Sequence, residues 1–215
     1  VFEDSALNTS RNGKTHDVPL LIGFNSFEGS SLIPLFYTEE QNKIDEDWIT
    51  TIWRLAFNDQ TLSIPPQYKY WAENIQKSNY LAAQKLWGDI NFGASSYYSA
   101  KNHSAVNDHT YFYYFNRAPA SSKQIIGATH GAEIMYLFNS FIPGWPKNSD
   151  DDQIAKQMQI DWTNFAKTGD LAEFGWPKFS TTNTKAKDYQ ANMSFINLNE
   201  EELFRTMEEF INNNY

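Results

Sequence analysis

Cysteine is absent from the 215 residues, which excludes disulfides and thiolate chemistry and fits a reducing compartment such as the cytoplasm. Nor is there an apolar run of the roughly 18 to 20 residues that a membrane-spanning helix needs. Positive charge is scarce: 17 Lys and Arg stand against 26 Asp and Glu, a balance of −9 that repels phosphate backbones and anionic lipid surfaces. A nucleic-acid partner is not expected. The opening VFEDSALNTSRNGKTHDV lacks the basic flank and apolar centre of a secretory leader and does not begin with Met, so a processed chain or a piece of something larger is expected. No Gly/Ser linker divides the chain and no repeat is visible, so residues 1–215 read as one unit.

Apolar side chains are plentiful, at 41% of residues with 16% aromatic, which suits a chain that buries a sizeable core. The run VPLLIGF, Val18 to Phe24, fits a strand buried on both faces, and YFYYF, Tyr111 to Phe115, fits a second. Helical spacing of apolar residues marks Asp47 to Phe57, and again Tyr80 to Trp87, where Gly88 can act as a cap. Ser149 with Asp152 forms a capping pattern ahead of Ile154, Met158, Trp162 and Phe165, and Gly169 ends that helix. Asn199 with Glu202 repeats the signature before a last helix, and Ser194 to Leu198 suits a short strand. The polar stretch Ser180 to Gln190 reads as an exposed loop. Strands alternating with helices imply an α/β fold with a mainly parallel sheet.

Two acid–base candidates follow strands. Glu28 lies in GFNSFEGS and His130 in GATHGAEIMYLF, each among glycines that let a loop turn sharply. In open α/β sheets the loops beyond the carboxyl ends of strands converge, so the two can meet despite their separation in sequence. A carboxylate that accepts the Nδ1 proton of an imidazole leaves Nε2 free as a base, which is two-thirds of a hydrolytic triad. Taken singly, a loop histidine is more often structural and a loop glutamate more often solvated, so only the pairing carries chemistry.

The stretch VPLLIGFNSFEGS resembles the acid-bearing segment of type B carboxylesterases, the α/β-hydrolase branch that includes para-nitrobenzyl esterases and cholinesterases. YFYYFNRAP followed by GATHGAEIMYLF resembles its histidine segment, WTNFAKTGD with WPKF its C-terminal signature, and WGDINF a recurring element around Asp89. The matches keep their order from about Val18 to Phe179. The resemblance implies Glu28 as the triad acid and His130 as the general base, with Gly29 and Gly131 as shaping glycines. It makes Glu133 a supporting carboxylate at a helix start and Asp89 a structural or supporting acid. A plain helix-end charge for Glu133 and a cap for Asp89 remain alternatives. Neither a cofactor nor a metal is implied.

What the family pattern requires and this sequence lacks is the nucleophile. The serine should stand on a G-x-S-x-G elbow ahead of the acid, yet Ser5 and Ser10 have no flanking glycines of that kind. GASSY, Gly93 to Tyr97, ends in Tyr, falls between acid and histidine, and looks helical. The expectation is therefore the C-terminal part of a larger esterase, acting on small-molecule carboxylic esters and inert without its missing N-terminal part. An unpaired sheet edge would favour association with that part or with a second copy. Ser30, Ser31 and Leu32 after the acid offer no ring for a cationic choline, which disfavours choline esters.

Rival readings are weaker. A non-catalytic cholinesterase-like adhesion module would have no chemical need for both the acid and the histidine. A carbohydrate-binding module would alternate its aromatics, and YFYYF does not. His103, Asp108 and His109 match no familiar metal-ligand spacing. The sequons at Asn8, Asn102 and Asn192 are about as frequent as chance allows.

Overall fold

The computed structural model describes residues 6–31, 78–121, 127–200 and 204–206, with the isolated positions Thr50, Trp53, Arg54, Ile64, Pro66, Tyr68 and Glu73. Leu32, most of the helix expected over Asp47–Phe57 and most of the one expected after Asn199 lie outside the described residues.

Among the described residues, four strands form one sheet in chain order: β1 (Leu20–Asn25), β2 (Thr110–Phe115), β3 (Lys185–Tyr189) and β4 (Ser194–Asn197). The first three are parallel, with Asn25 beside Phe115 and Tyr113 beside Lys187, and β4 returns antiparallel with Ala186 opposite Ile196. Helices α1 (Ala6–Arg11), α2 (Asn79–Gly88), α3 (Ser95–His103), α4 (Ala132–Leu137) and α5 (Ser149–Thr168) surround it. The α/β architecture with a mainly parallel sheet is as expected.

Both faces of β2 are covered, which is why its aromatics need not alternate with polar residues. On one side Phe112 packs with Phe24, Tyr97 and Phe179; on the other Tyr111 and Phe115 pack with Tyr136, Ile154, Met158 and Trp176. Helix α5 keeps Ile154, Ala155 and Met158 inward and stops at Gly169, whose φ of +66° is the left-handed cap glycine tolerates. Its true cap is Asn148, one residue before the expected Ser149. The Asn148 side chain accepts from the Asp150 N–H at 2.9 Å while the Asp151 carboxylate accepts from the Asn148 N–H at 2.7 Å.

Three expectations need correction. Strand β1 is not buried on both faces, since only Phe24 and Asn25 are buried, and within the described sheet β2 is its one neighbour. Gly88 is the last residue of α2 but not a stop: with φ −64° it runs straight into a π-helical segment, Asp89–Ala94, that joins α2 to α3. The supposed loop Ser180–Gln190 contains β3, in which Ala186, Asp188 and Tyr189 are buried. Its inward side chains include a small alanine and a carboxylate, so the alternation that marks a strand carries no hydrophobic signal.

Candidate active site

The site begins where β1 ends. Beyond Asn25 the chain turns through Ser26 and Phe27 to Glu28, and the Asn25 N–H donates to Glu28 Oε1 at 2.7 Å, closing the turn on the acid itself. Gly29 makes the turn possible: a Cβ there would stand 2.0 Å from the Gln84 carbonyl oxygen of α2. Gly88 has the same function from the other side, as its Cβ would meet the Gly29 nitrogen at 2.7 Å.

The histidine loop is built against this turn. The Phe27 N–H donates to the Ala128 carbonyl and the Ala128 N–H to Ser26 Oγ, both at 2.9 Å, while Phe27 and Thr129 form a parallel bridge. Gly131 takes φ +76° as the residue before α4, a left-handed conformation that turns the chain from the loop into the helix. His130 thus stands at the mouth of the loop, its side chain 45% exposed, while Glu28 beneath it is 6% exposed.

His130 Nδ1 lies 2.7 Å from Glu28 Oε2. An ionised carboxylate only accepts, so Nδ1 carries the shared proton, and in the neutral imidazole Nε2 then presents a lone pair. Burial raises the Glu28 carboxyl above its ordinary value. The Asn25 N–H and the bond and charge of His130 oppose the rise, and the Glu133 charge adds to it. The Phe92 ring covers the imidazole at a centroid distance of 4.9 Å.

Glu133, in the first turn of α4, accepts a hydrogen bond from Asn25 Nδ2 and so joins the same network. Asp89 is placed elsewhere. It is buried at the head of the π-helical segment, where Tyr68 Oη donates to it at 2.6 Å and Lys85 Nζ at 2.5 Å, and among the described residues it bonds neither Glu28 nor His130. It heads the segment that also carries Phe92. Asn25 and Phe92 are residues that sequence reasoning did not single out. Asn25 could have been suspected as a polar residue ending an apolar strand three positions before the acid, and Phe92 as the last ring of WGDINF.

The histidines outside the site have local roles. His103 Nδ1 is 2.8 Å from Thr110 Oγ1 in the interior, and His109 lies 3.6 Å from Asp108 and 3.8 Å from Asp170. Among the described residues no group of three His, Asp or Glu side chains converges as metal ligands would. None of the described helices is long and apolar enough to cross a membrane. In GASSY, Ser95 and Ser96 lie within α3, where their hydroxyls donate to the carbonyls of Asn91 and Gly23.

The chain is similar to carboxylesterase 3 of Pongo abelii, at 27% identity over 84% of this chain and 36% of the relative. It is 26% identical to carboxylesterase 4A of Bos taurus over 79% of this chain and 32% of that protein. It therefore spans about a third of the length of these relatives. In solved structures its fold resembles a PNB esterase, with a TM-score of 0.72 at 17% identity, covering 95% of this chain and 41% of that one. The Glu–His pair, its order along the chain and the α/β-hydrolase sheet accord with the match of residues 1–211 to the profile of the carboxylesterase family, and this chain belongs to that family.

Proposed function

We propose that this chain supplies the acid and the general base of a carboxylic ester hydrolase whose nucleophilic serine and oxyanion-hole donors lie on polypeptide outside it. The single observation that carries the reading is the 2.7 Å contact between Glu28 Oε2 and His130 Nδ1 at the junction of two strand-end loops. In this reaction the serine oxygen attacks the ester carbonyl carbon while Nε2 of His130 takes the serine proton. The tetrahedral intermediate collapses, the carbon–oxygen bond to the alcohol breaks, and the imidazolium returns that proton to the departing alkoxide. Water then repeats the sequence on the acyl-enzyme, giving the carboxylic acid and free serine. Glu28 stays ionised throughout and offsets the charge that His130 acquires twice in each turnover.

Among the described residues β1 is an edge of the sheet, which suits the position of the missing region. Leu20 to Gly23 are only half-buried on a strand with one neighbour in the described sheet, and Ile134, Phe138 and Ile142 expose apolar surface. A serine-bearing region extending the sheet from this edge would cover β1 and bring its hydroxyl to the mouth of the His130 loop. Alone, the chain is expected to be inert and to self-associate.

The test is reconstitution. This chain is combined with the serine-bearing region, as one polypeptide or as two pieces, and hydrolysis of a short p-nitrophenyl ester is followed. Glu28→Gln and His130→Ala should each abolish the restored activity. Undiminished hydrolysis in His130→Ala would refute the assignment of the base.

A further inference from the structure

Asn25 is 1% exposed and carries more of the site than its place at the end of a strand requires. Its backbone N–H holds Glu28 Oε1 at 2.7 Å. Its side-chain amide donates to the Thr129 carbonyl at 2.9 Å and to Glu133 Oε2. Both partners are acceptors only, so the nitrogen, not the oxygen, must face them and the amide has one possible orientation. The two recipients flank His130 in sequence, one just before it and one on the first turn of α4, so a single buried amide brackets the histidine. Meanwhile Asn25 Oδ1 is buried without a partner among the described residues, a cost the fold carries at this position.

His130 needs such a brace. Its side chain is nearly half exposed, and Glu28 fixes only one ring nitrogen. The acid turn also holds this loop through its backbone, where the Phe27 N–H donates to the Ala128 carbonyl and Phe27 bridges Thr129, and the Ala128 N–H donates to Ser26 Oγ. The Asn25 side chain adds bonds on both sides of the histidine, to the Thr129 carbonyl just before it and to Glu133 on the helix after it. We propose that Asn25 is a positioning residue of this hydrolase, which registers the His130 loop on the Glu28 turn so that Nε2 stays aimed at the serine. This rests on the reading of His130 as the base.

Asn25→Asp and Asn25→Ser in the reconstituted esterase separate this role from simple space filling. Aspartate keeps the volume but turns an oxygen toward two acceptors, whereas serine loses volume but retains one donor. A positioning role ranks kcat as Asn above Ser above Asp, with aspartate down about 100-fold, serine down about tenfold and KM within about twofold. The low-field proton signal of the His130–Glu28 bond should broaden or move in the same order in proton NMR. A space-filling role ranks aspartate above serine in both readouts, and that result overturns the proposal, as does kcat within about threefold for variants whose thermal melts show them folded. Should Asn25→Asp melt below the assay temperature, serine decides alone: unchanged kcat refutes the role and a tenfold loss at constant KM supports it. His130→Ala is run alongside. An active His130→Ala removes the base assignment and this inference together, whereas an inactive one with fully active Asn25 variants removes the inference alone.

Discussion

Gly29 and Gln84 meet backbone to backbone: a Cβ on the glycine would stand 2.0 Å from the Gln84 carbonyl oxygen. Neither partner can give way by rotating a side chain, so the acid turn is fixed to α2 by contact alone. Gly29→Ala should therefore destabilise the protein by about 3 kcal/mol and displace Glu28. Differential scanning calorimetry checks the stability, and ester hydrolysis in the reconstituted enzyme should fall with it. A wild-type melting temperature would contradict the packing described for this turn.

Glu28 separates stability from activity. Its carboxyl is raised by burial, so the folded state holds the proton more tightly than the unfolded chain does. Between the ordinary value of 4.5 and the raised one, stability falls as pH rises, because there the native state binds more protons. Glu28→Gln removes that loss. It should melt no lower than the unmodified protein at pH 7, while hydrolysis in the reconstituted enzyme drops on the order of 10^3 to 10^4-fold. Paired melts at pH 4 and pH 7 measure the first part, and steady-state kinetics the second.

Asp188 is the same case away from the site. It is buried on β3, takes a hydrogen bond from Gln190 Nε2, leaves Oδ1 without a partner among the described residues, and its carboxyl is pushed up to about 6. Its contribution therefore favours the fold below pH 3.8 and is lost as pH rises through about 6. Asp188→Asn should raise stability at pH 8 by about 1 kcal/mol and flatten urea midpoints between pH 4 and pH 8. Parallel midpoint curves for the two proteins would contradict this.

Asp151 has the opposite sign. Burial raises its carboxyl, but bonds from Arg117, Tyr136 and the Asn148 N–H outweigh burial and hold it below the usual range. Its stabilisation is present above pH 3.8 and lost as pH falls through the lowered value. Arg117→Ala would leave a fully buried carboxylate without its guanidinium partner and should cost about 3 kcal/mol at neutral pH, measured by urea denaturation. A loss under about 0.5 kcal/mol would reduce the pair to a surface contact.

Legibility in the sequence followed hydrophobic contrast. Strand β2 was clear because five consecutive aromatics need cover on both faces, and α5 because its apolar stripe runs into a glycine. Strand β3 was hidden, since exposed Lys185 and half-buried Lys187 alternate with buried Ala186 and Asp188, leaving no apolar rhythm. The meeting of Glu28 and His130 was legible through their glycines and their order, as the loops that carry them must turn sharply. Asn25 and Phe92 were not, because an amide that braces a neighbouring loop and a ring that covers an imidazole act across contacts of high sequence separation. The continuation of α2 past Gly88 was equally hidden, as glycine there serves a close backbone approach and not a stop.

The wide turn at Asp89–Ala94 holds one residue more than regular α-helix would, yet α2 and α3 pass through it without a break. Losing a single codon at that spot would let the spacer relax to ordinary pitch while both flanking helices and the sheet stayed where they are. The ring opposite the imidazole would then be exchanged for another side chain. A change of length by one residue there would alter the side chain against the imidazole with no substitution at Glu28 or His130.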